Sequence, residues 1–245
     1  MSNEEEVKVS KKQLKAEARR NKRQKQERTR QLRNLFIILI GAGAIAAAMI
    51  FQSSKPISGL IKPEARDNYM PDFNSMGSPD ALLVVEEIGD FQCPSCLNFF
   101  ENVEGALMNT GLIEANLIRY VYRSAGEFLG PESANAAEAA YCAGDQDKFW
   151  EMHDAIYNNF SNGNSGGYSD KRLVAMAELI GADGDDLQVC LDSDKYLDQI
   201  TADQEYASVE VGIRGTPSIV INGVLYEGDL SFQAIQNEIQ AQLAQ

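Results

Sequence analysis

The sequence predicts an α/β domain interrupted by a helical insertion and carried behind a single membrane-spanning helix. Three observations lead there. A 17-residue apolar run without charge, Leu35 to Phe51, follows a dense block of Lys and Arg. A buried-strand pattern, ALLVVEEI over Ala81 to Ile88, runs almost directly into Cys-Pro-Ser-Cys. The elements then follow the order β, α, β, helices, β-hairpin, α, in which strands and helices alternate. Length and composition agree: 245 residues, 44% hydrophobic and 24% charged, supply the core of one or two folded units.

The net charge of −14 is unevenly spread, because Met1 to Asn34 holds 12 basic and 5 acidic residues (+7) and the remainder 10 and 31 (−21). The acidic part has no clustered Lys and Arg with which to bind nucleic acid. The basic arm, residues 1–34, is rich in helix formers and nearly free of apolar side chains, so it lies solvated or against anionic lipid. Residues 35–54 are read as a signal anchor, since about 20 residues at ~1.5 Å each span a hydrocarbon core of roughly 30 Å. The charge step places the N-terminus in the cytoplasm and the rest outside the cell membrane. A cleaved signal peptide is the competing reading, with Ala46-Ala47-Ala48 as its small residues. The long basic leader and the length of the apolar core count against it.

Residues 55–80 carry Pro56, Pro63, Pro71 and Pro79 without a sustained period and read as a spacer. The domain proper is expected over 81–245. It begins with the Ala81 to Ile88 strand, apolar on both parities as a central strand is, followed by helical spacing over Cys96 to Met108 and a strand at Leu117 to Tyr122. Helices at Ser133 to Ala143, Asp147 to Tyr157, Asp170 to Ile180 and Asp194 to Val211 make up the insertion, about residues 131–211. Ser218 to Ile221, the Asn222-Gly223 turn and Val224 to Tyr226 read as a hairpin, and Phe232 to Leu243 as the last helix.

Cys93-Pro94-Ser95-Cys96 sets two thiols three residues apart where a buried strand meets a helix. Free backbone N–H groups and the helix dipole stabilise a thiolate at Cys93, while Cys96, one turn inside, stays protonated and shielded. A thiol of low pKa beside a resolving thiol is what disulfide exchange requires. Half a zinc site has the same spacing, but the other candidates, Cys142, Cys190 and the single His153, do not stand at ligand spacing. A second signal, Gly212 to Pro217 (GIRGTP), precedes the hairpin. Pro217 there is compatible with a trans proline at a strand edge or a cis one.

Together these segments resemble the thioredoxin superfamily, specifically its DsbA-like membrane-anchored thiol–disulfide oxidoreductases. The resemblance covers Ala81 to Gln245. It rests on Val85-Glu86-Glu87, on Asp90 to Cys96, on Ala137, Ala139 and Ala140 before Cys142-Ala143-Gly144, on Lys148-Phe149-Trp150 with His153-Asp154, and on Arg214 to Pro217 with Asn222-Gly223. It implies a thioredoxin-like fold in which Cys93 is the sulfur that meets substrate, Cys96 its partner, Pro217 a cis proline packed against the pair, and Thr216 a backbone site for an extended peptide. It also implies that Glu87 is a buried acid relaying protons to Cys96, although Glu86 and Glu87 lie on opposite strand faces and either could be a solvated edge charge. Where strongly oxidising members often carry His between the cysteines, this chain has Ser95.

Cys142 and Cys190 are the remaining pair of an exported domain, and read as one structural bridge across the insertion or as a second exchange centre. His153 is read as a packing residue rather than a base. No metal or organic cofactor is expected. The expected partners are the thiols and disulfides of exported proteins and a quinone-linked membrane protein that reoxidises the pair. A membrane-fed reductase or isomerase, and a non-catalytic thioredoxin-like binding module, are the alternatives.

Overall fold

The structure, a computed structural model, describes residues 2–53, 57–66 and 70–245. It divides into two units, Met1–Pro56 and Ile57–Gln245. The first is one helix, α1 (Ser2–Ser53), on which Leu35, Phe36 and Ile37 to Ile40 stand exposed. Among the described residues no helix is long and apolar enough to cross a membrane. The span expected over 35–54 falls partly outside the described residues.

The second unit is built on a six-stranded sheet of order β1-β2-β4-β3-β5-β6: β1 (Pro71–Asp72), β2 (Ser75–Met76), β3 (Leu83–Gly89), β4 (Ile118–Ser124), β5 (Ser218–Ile221) and β6 (Val224–Leu225). β3 is central and buried along nearly its whole length, which is why its sequence runs apolar on both parities. It pairs parallel with β4 and antiparallel with β5. The parallel pair needs a crossover, supplied by α2 (Pro94–Phe99), a π-turn over Phe100–Glu104 and α3 (Gly105–Met108). β4 alternates, with Ile118, Tyr120 and Tyr122 buried. β3 ends on Gly89, where a Cβ would stand 2.8 Å from the Tyr122 ring. The β5–β6 turn uses Asn222 and Gly223 at φ 50° and 79°, the left-handed pair of a tight hairpin.

The insertion contains α4 (Pro131–Gly144), α5 (Phe149–Asn158), α6 (Asp170–Leu179), α7 (Gly184–Asp192) and α8 (Leu197–Glu205), which ends in a π-turn over Tyr206–Val211. α9 (Phe232–Leu243) closes the fold through Ile235 and Ile239. The sequence reading lacks α7, whose start is fixed by Asp183 accepting from the amides of Asp185 and Asp186. It matters because α7 carries Cys190, joined to Cys142 of α4 with an S–S distance of 2.00 Å and a Cα–Cα distance of 5.9 Å.

The spacer reading of residues 55–80 is corrected over its described part. From Ile57 onward the chain belongs to the folded unit. Asn159 grips Ile61 in both directions: Ile61 N donates to Oδ1 at 2.7 Å and Nδ2 donates to Ile61 O at 2.8 Å. β1 and β2 then cover the free edge of β4. Strands of two residues are too short to leave a period in the sequence, so this pairing is set by the waiting edge.

Candidate active site

β3 delivers the chain to Asp90, whose buried carboxylate accepts from Gln92 N at 2.7 Å and Leu129 N at 3.1 Å and fixes the turn into α2. Cys93 caps that helix, with Pro94 in its first turn where a missing N–H costs nothing. Cys93 is 8% exposed and Cys96 0%. Both are free thiols here. Cys93 Sγ donates to the Thr216 carbonyl at 3.3 Å, and the Thr216–Pro217 bond is cis. Sequence-distant Cys93, Cys96, Thr216 and Pro217 are thus brought together. A groove of about 630 Å³ runs beside them, lined by Pro94, Phe99, Val103, Pro217, Leu230 and Phe232 among others.

The two sulfurs are chemically unequal. The Cys96 thiol donates to Cys93 Sγ and, against partial burial, the amides of Cys96 and Ser95 add to it, drawing the Cys93 thiol from about 9 down to about 5. The Thr216 carbonyl favours the protonated thiol, but these donors outweigh it. Cys96 is pushed the other way by burial, by its bond to Cys93 and by the charge of Glu87, despite a donor in Asp90 N at 3.4 Å. At neutral pH Cys93 is a thiolate and Cys96 a thiol. Ser95 contributes its amide to this balance, not a charge.

Neither glutamate of β3 is a solvated edge charge, because β3 is central and covered on both faces. Glu86 accepts from Arg123 Nε at 2.5 Å and from the Tyr206 hydroxyl at 2.7 Å. Glu87, fully buried, accepts from the Tyr120 hydroxyl. Burial and the neighbouring Glu104 push its carboxyl well above the ordinary range, while Tyr120 and Arg66 pull it back.

Behind Glu87 lies a group of charges of which the sequence reading holds His153 and Asp154 but not Arg66 or Glu104. Arg66 donates through Nε to Asp154 at 2.7 Å and pairs through Nη2 with Glu104 at 2.6 Å, over the face of Trp150. His153 Nδ1 lies 2.9 Å from Asp154 Oδ1 inside a shell of rings that includes Phe91, Phe100, Tyr122 and Tyr157. That agrees with its reading as a packing residue. Glu104, His153 and Asp154 bring possible metal-ligand atoms within 4.8 Å of one another, but the charge of both carboxylates is already paired with Arg66. Cys142 and Cys190 are bound to each other and so are not free to join Cys93 and Cys96 as zinc ligands. Glu104 could have been found from sequence: it lies on the face of the helical run that carries Cys96, Phe100, Val103 and Leu107, where a charge is out of place. Arg66, one cation in a Pro-containing segment, carries no such signal.

The thioredoxin family model matches residues 71–241, more than two thirds of the chain. The "Probable disulfide bond formation protein D" of Bacillus cereus is 26% identical over 175 residues, which cover 69% of this chain and 78% of that protein. The Na(+)/H(+) antiporter NhaA 1 of Salinispora arenicola is 31% identical over 176 residues, 71% of this chain and 25% of that protein. The chain therefore spans about a quarter of the length of that antiporter. Among solved structures, oxidised BdbD from Bacillus subtilis superposes with a TM-score of 0.63 at 22% identity, over 70% of this chain and 93% of that one. With two free cysteines at the end of a central strand and a helical insertion beside its sheet, the chain belongs to the thioredoxin family.

Proposed function

We propose that the protein donates the Cys93–Cys96 disulfide to exported proteins outside the cell membrane, through a mixed disulfide at Cys93. The observation that carries this is the opposite displacement of the two thiols, Cys93 down to about 5 and Cys96 well up. A thiolate held in the reduced form makes the corresponding disulfide an oxidant. A substrate thiolate attacks Cys93 Sγ, the bond between Cys93 and Cys96 breaks, and Cys96 leaves and is protonated. The second substrate thiol then attacks the mixed disulfide and releases Cys93 as a thiolate. Thr216, beside Cys93, offers its backbone to an extended peptide, Pro217 shapes the groove, and Glu87 supplies the proton that Cys96 takes up.

Residues 35–54 anchor the domain, with the basic arm cytoplasmic; the charge step of +7 against −21 supports this topology. A quinone-linked membrane partner would reoxidise the pair. The Cys142–Cys190 bridge acts as a structural tie, supported by the distance between its cysteines in the chain. The decisive test is trapping in cells. Cys96→Ala, lacking the resolving thiol, should accumulate reductant-sensitive adducts with exported proteins linked through Cys93, and Cys93→Ala should accumulate none. Adducts mapped to Cys96, or no adducts in Cys96→Ala under oxidising conditions, would overturn the reading.

A further inference from the structure

Glu87 is buried on every side, so whatever proton it trades with Cys96 depends on the charges packed around it. From β4 it is faced by the hydroxyls of Tyr120, which donates to it, and Tyr122; from α2 by Cys96; from α5 by Tyr157. The π-turn contributes the fully buried Glu104, and the segment ahead of the sheet contributes Arg66, whose charge reaches Glu87. Asp154 and His153 of α5 complete the group on the far side of Arg66. One carboxylate oxygen of Glu87 has no hydrogen-bond partner among the described residues. Two buried glutamates, each with an oxygen that lacks a hydrogen-bond partner, therefore share one partly buried cation among the described residues, which also serves Asp154.

We propose that Arg66 is a positioning residue of the exchange centre: by pairing Glu104 and Asp154, its guanidinium leaves Glu87 as the buried carboxyl that protonates Cys96 when Cys96 leaves and deprotonates it when Cys96 attacks. The proposal rests on the dithiol exchange put forward above. In the oxidising direction a substrate thiolate forms a bond to Cys93 Sγ, the Cys93–Cys96 electron pair leaves on Cys96, and the proton of the Glu87 carboxyl moves to that sulfur. In the reverse direction Cys96 gives its proton to the Glu87 carboxylate as it bonds to Cys93, and the substrate sulfur leaves with the electron pair. A cavity of about 460 Å³ opens beside Arg66 and Asp154, lined also by Glu64, Phe100, Glu101 and Asn158. It brings solvent to the outer face of the cluster, where the proton can be replaced. The three carboxylates bound or attracted by Arg66 come from β3, the π-turn and α5, so the segment carrying Arg66, pinned by Asn159 at Ile61, is part of the site.

The signs make this testable apart from stability. Arg66 attracts the charged form of Glu87 and Glu104 repels it, so their removal must act in opposite directions. The full-length protein, reduced, is titrated by carboxyl ¹³C NMR, with the Glu87 signal assigned from Glu87→Gln, and the pH profile of its reaction with a small peptide disulfide is recorded alongside. Arg66→Gln should raise both midpoints by about one unit or more, Glu104→Gln should lower them, and Arg66→Lys should return them toward the unaltered protein. The Cys93 titration near pH 5 should persist in all three, reporting an intact helix start. Shifts of the same sign in Arg66→Gln and Glu104→Gln, or no shift in either, overturn the proposal. Should Arg66→Gln not fold, Glu104→Gln with Arg66→Lys decides it: an unmoved midpoint in Glu104→Gln is contradiction. Exchange absent from the unaltered protein at every pH would count against dithiol chemistry itself, whereas exchange present with a midpoint indifferent to these variants counts against Arg66 alone.

Discussion

The two cysteine pairs of this domain are made of the same atoms and stand in opposite settings. Cys93 and Cys96 stand three apart at a strand-to-helix junction and are free thiols in the structure, whereas Cys142 and Cys190 are separated by 48 residues and tie α4 to α7. A cross-link restrains the unfolded chain by an amount that grows with the logarithm of the loop it closes, so the long-range bond stabilises about twice as much as the short-range one. Electrostatics divides them further. The short pair is polarised by donors around Cys93 and by burial and Glu87 around Cys96, which prepares its bond to open. On the proposed function, chain separation and local field, rather than the thiol itself, decide which bond is structural and which is exchanged.

The comparison breaks most visibly if the wrong pair matters for stability. Replacing Cys142 and Cys190 together by Ala should cost up to about 4 kcal/mol, the chain-entropy figure for a loop of this size, read from denaturant unfolding. Exchange activity should survive wherever the protein stays folded. Activity lost with stability intact would instead make the long-range pair an exchange centre.

A smaller effect sharpens the electrostatic half. Because Cys93 is drawn down from about 9 to about 5, the reduced form gains stability from its thiolate above pH 9, keeps a share of it between, and loses it as pH falls through 5. Below pH 5 two protons accompany two electrons, and above it only one. The reduction potential of the Cys93–Cys96 couple should therefore fall by about 59 mV per pH unit in acid and about 30 mV per unit from there to pH 9, as measured against a glutathione buffer. A single slope near 59 mV throughout would mean an ordinary thiol at Cys93.

Much of the site is legible in the sequence because its parts are short-range. A buried strand, a C-x-x-C motif at a helix start and Gly-Thr-Pro before a hairpin are each written in a few adjacent residues. The surrounding field is not. That Glu86 goes to Arg123 and Tyr206 while Glu87 goes to Tyr120 depends on which elements cover the two faces of β3. Arg66 reaches Asp154 across 88 positions, and its segment looks like a spacer because its contacts are polar ones made to residues distant in the chain. The edge strands β1 and β2 are invisible for the same reason: two residues have no periodicity, and their partner is β4.

The central claim is that one thiol of the short pair is ionised near neutrality and the other is not. Alkylation of the reduced protein across pH 3 to 10 with mass-spectrometric site mapping tests it directly. The account predicts a Cys93 rate that rises with a midpoint near 5 and a Cys96 that stays unmodified until the pH passes the ordinary thiol value of about 9. A Cys93 midpoint close to 9, or Cys96 reacting first, would contradict it.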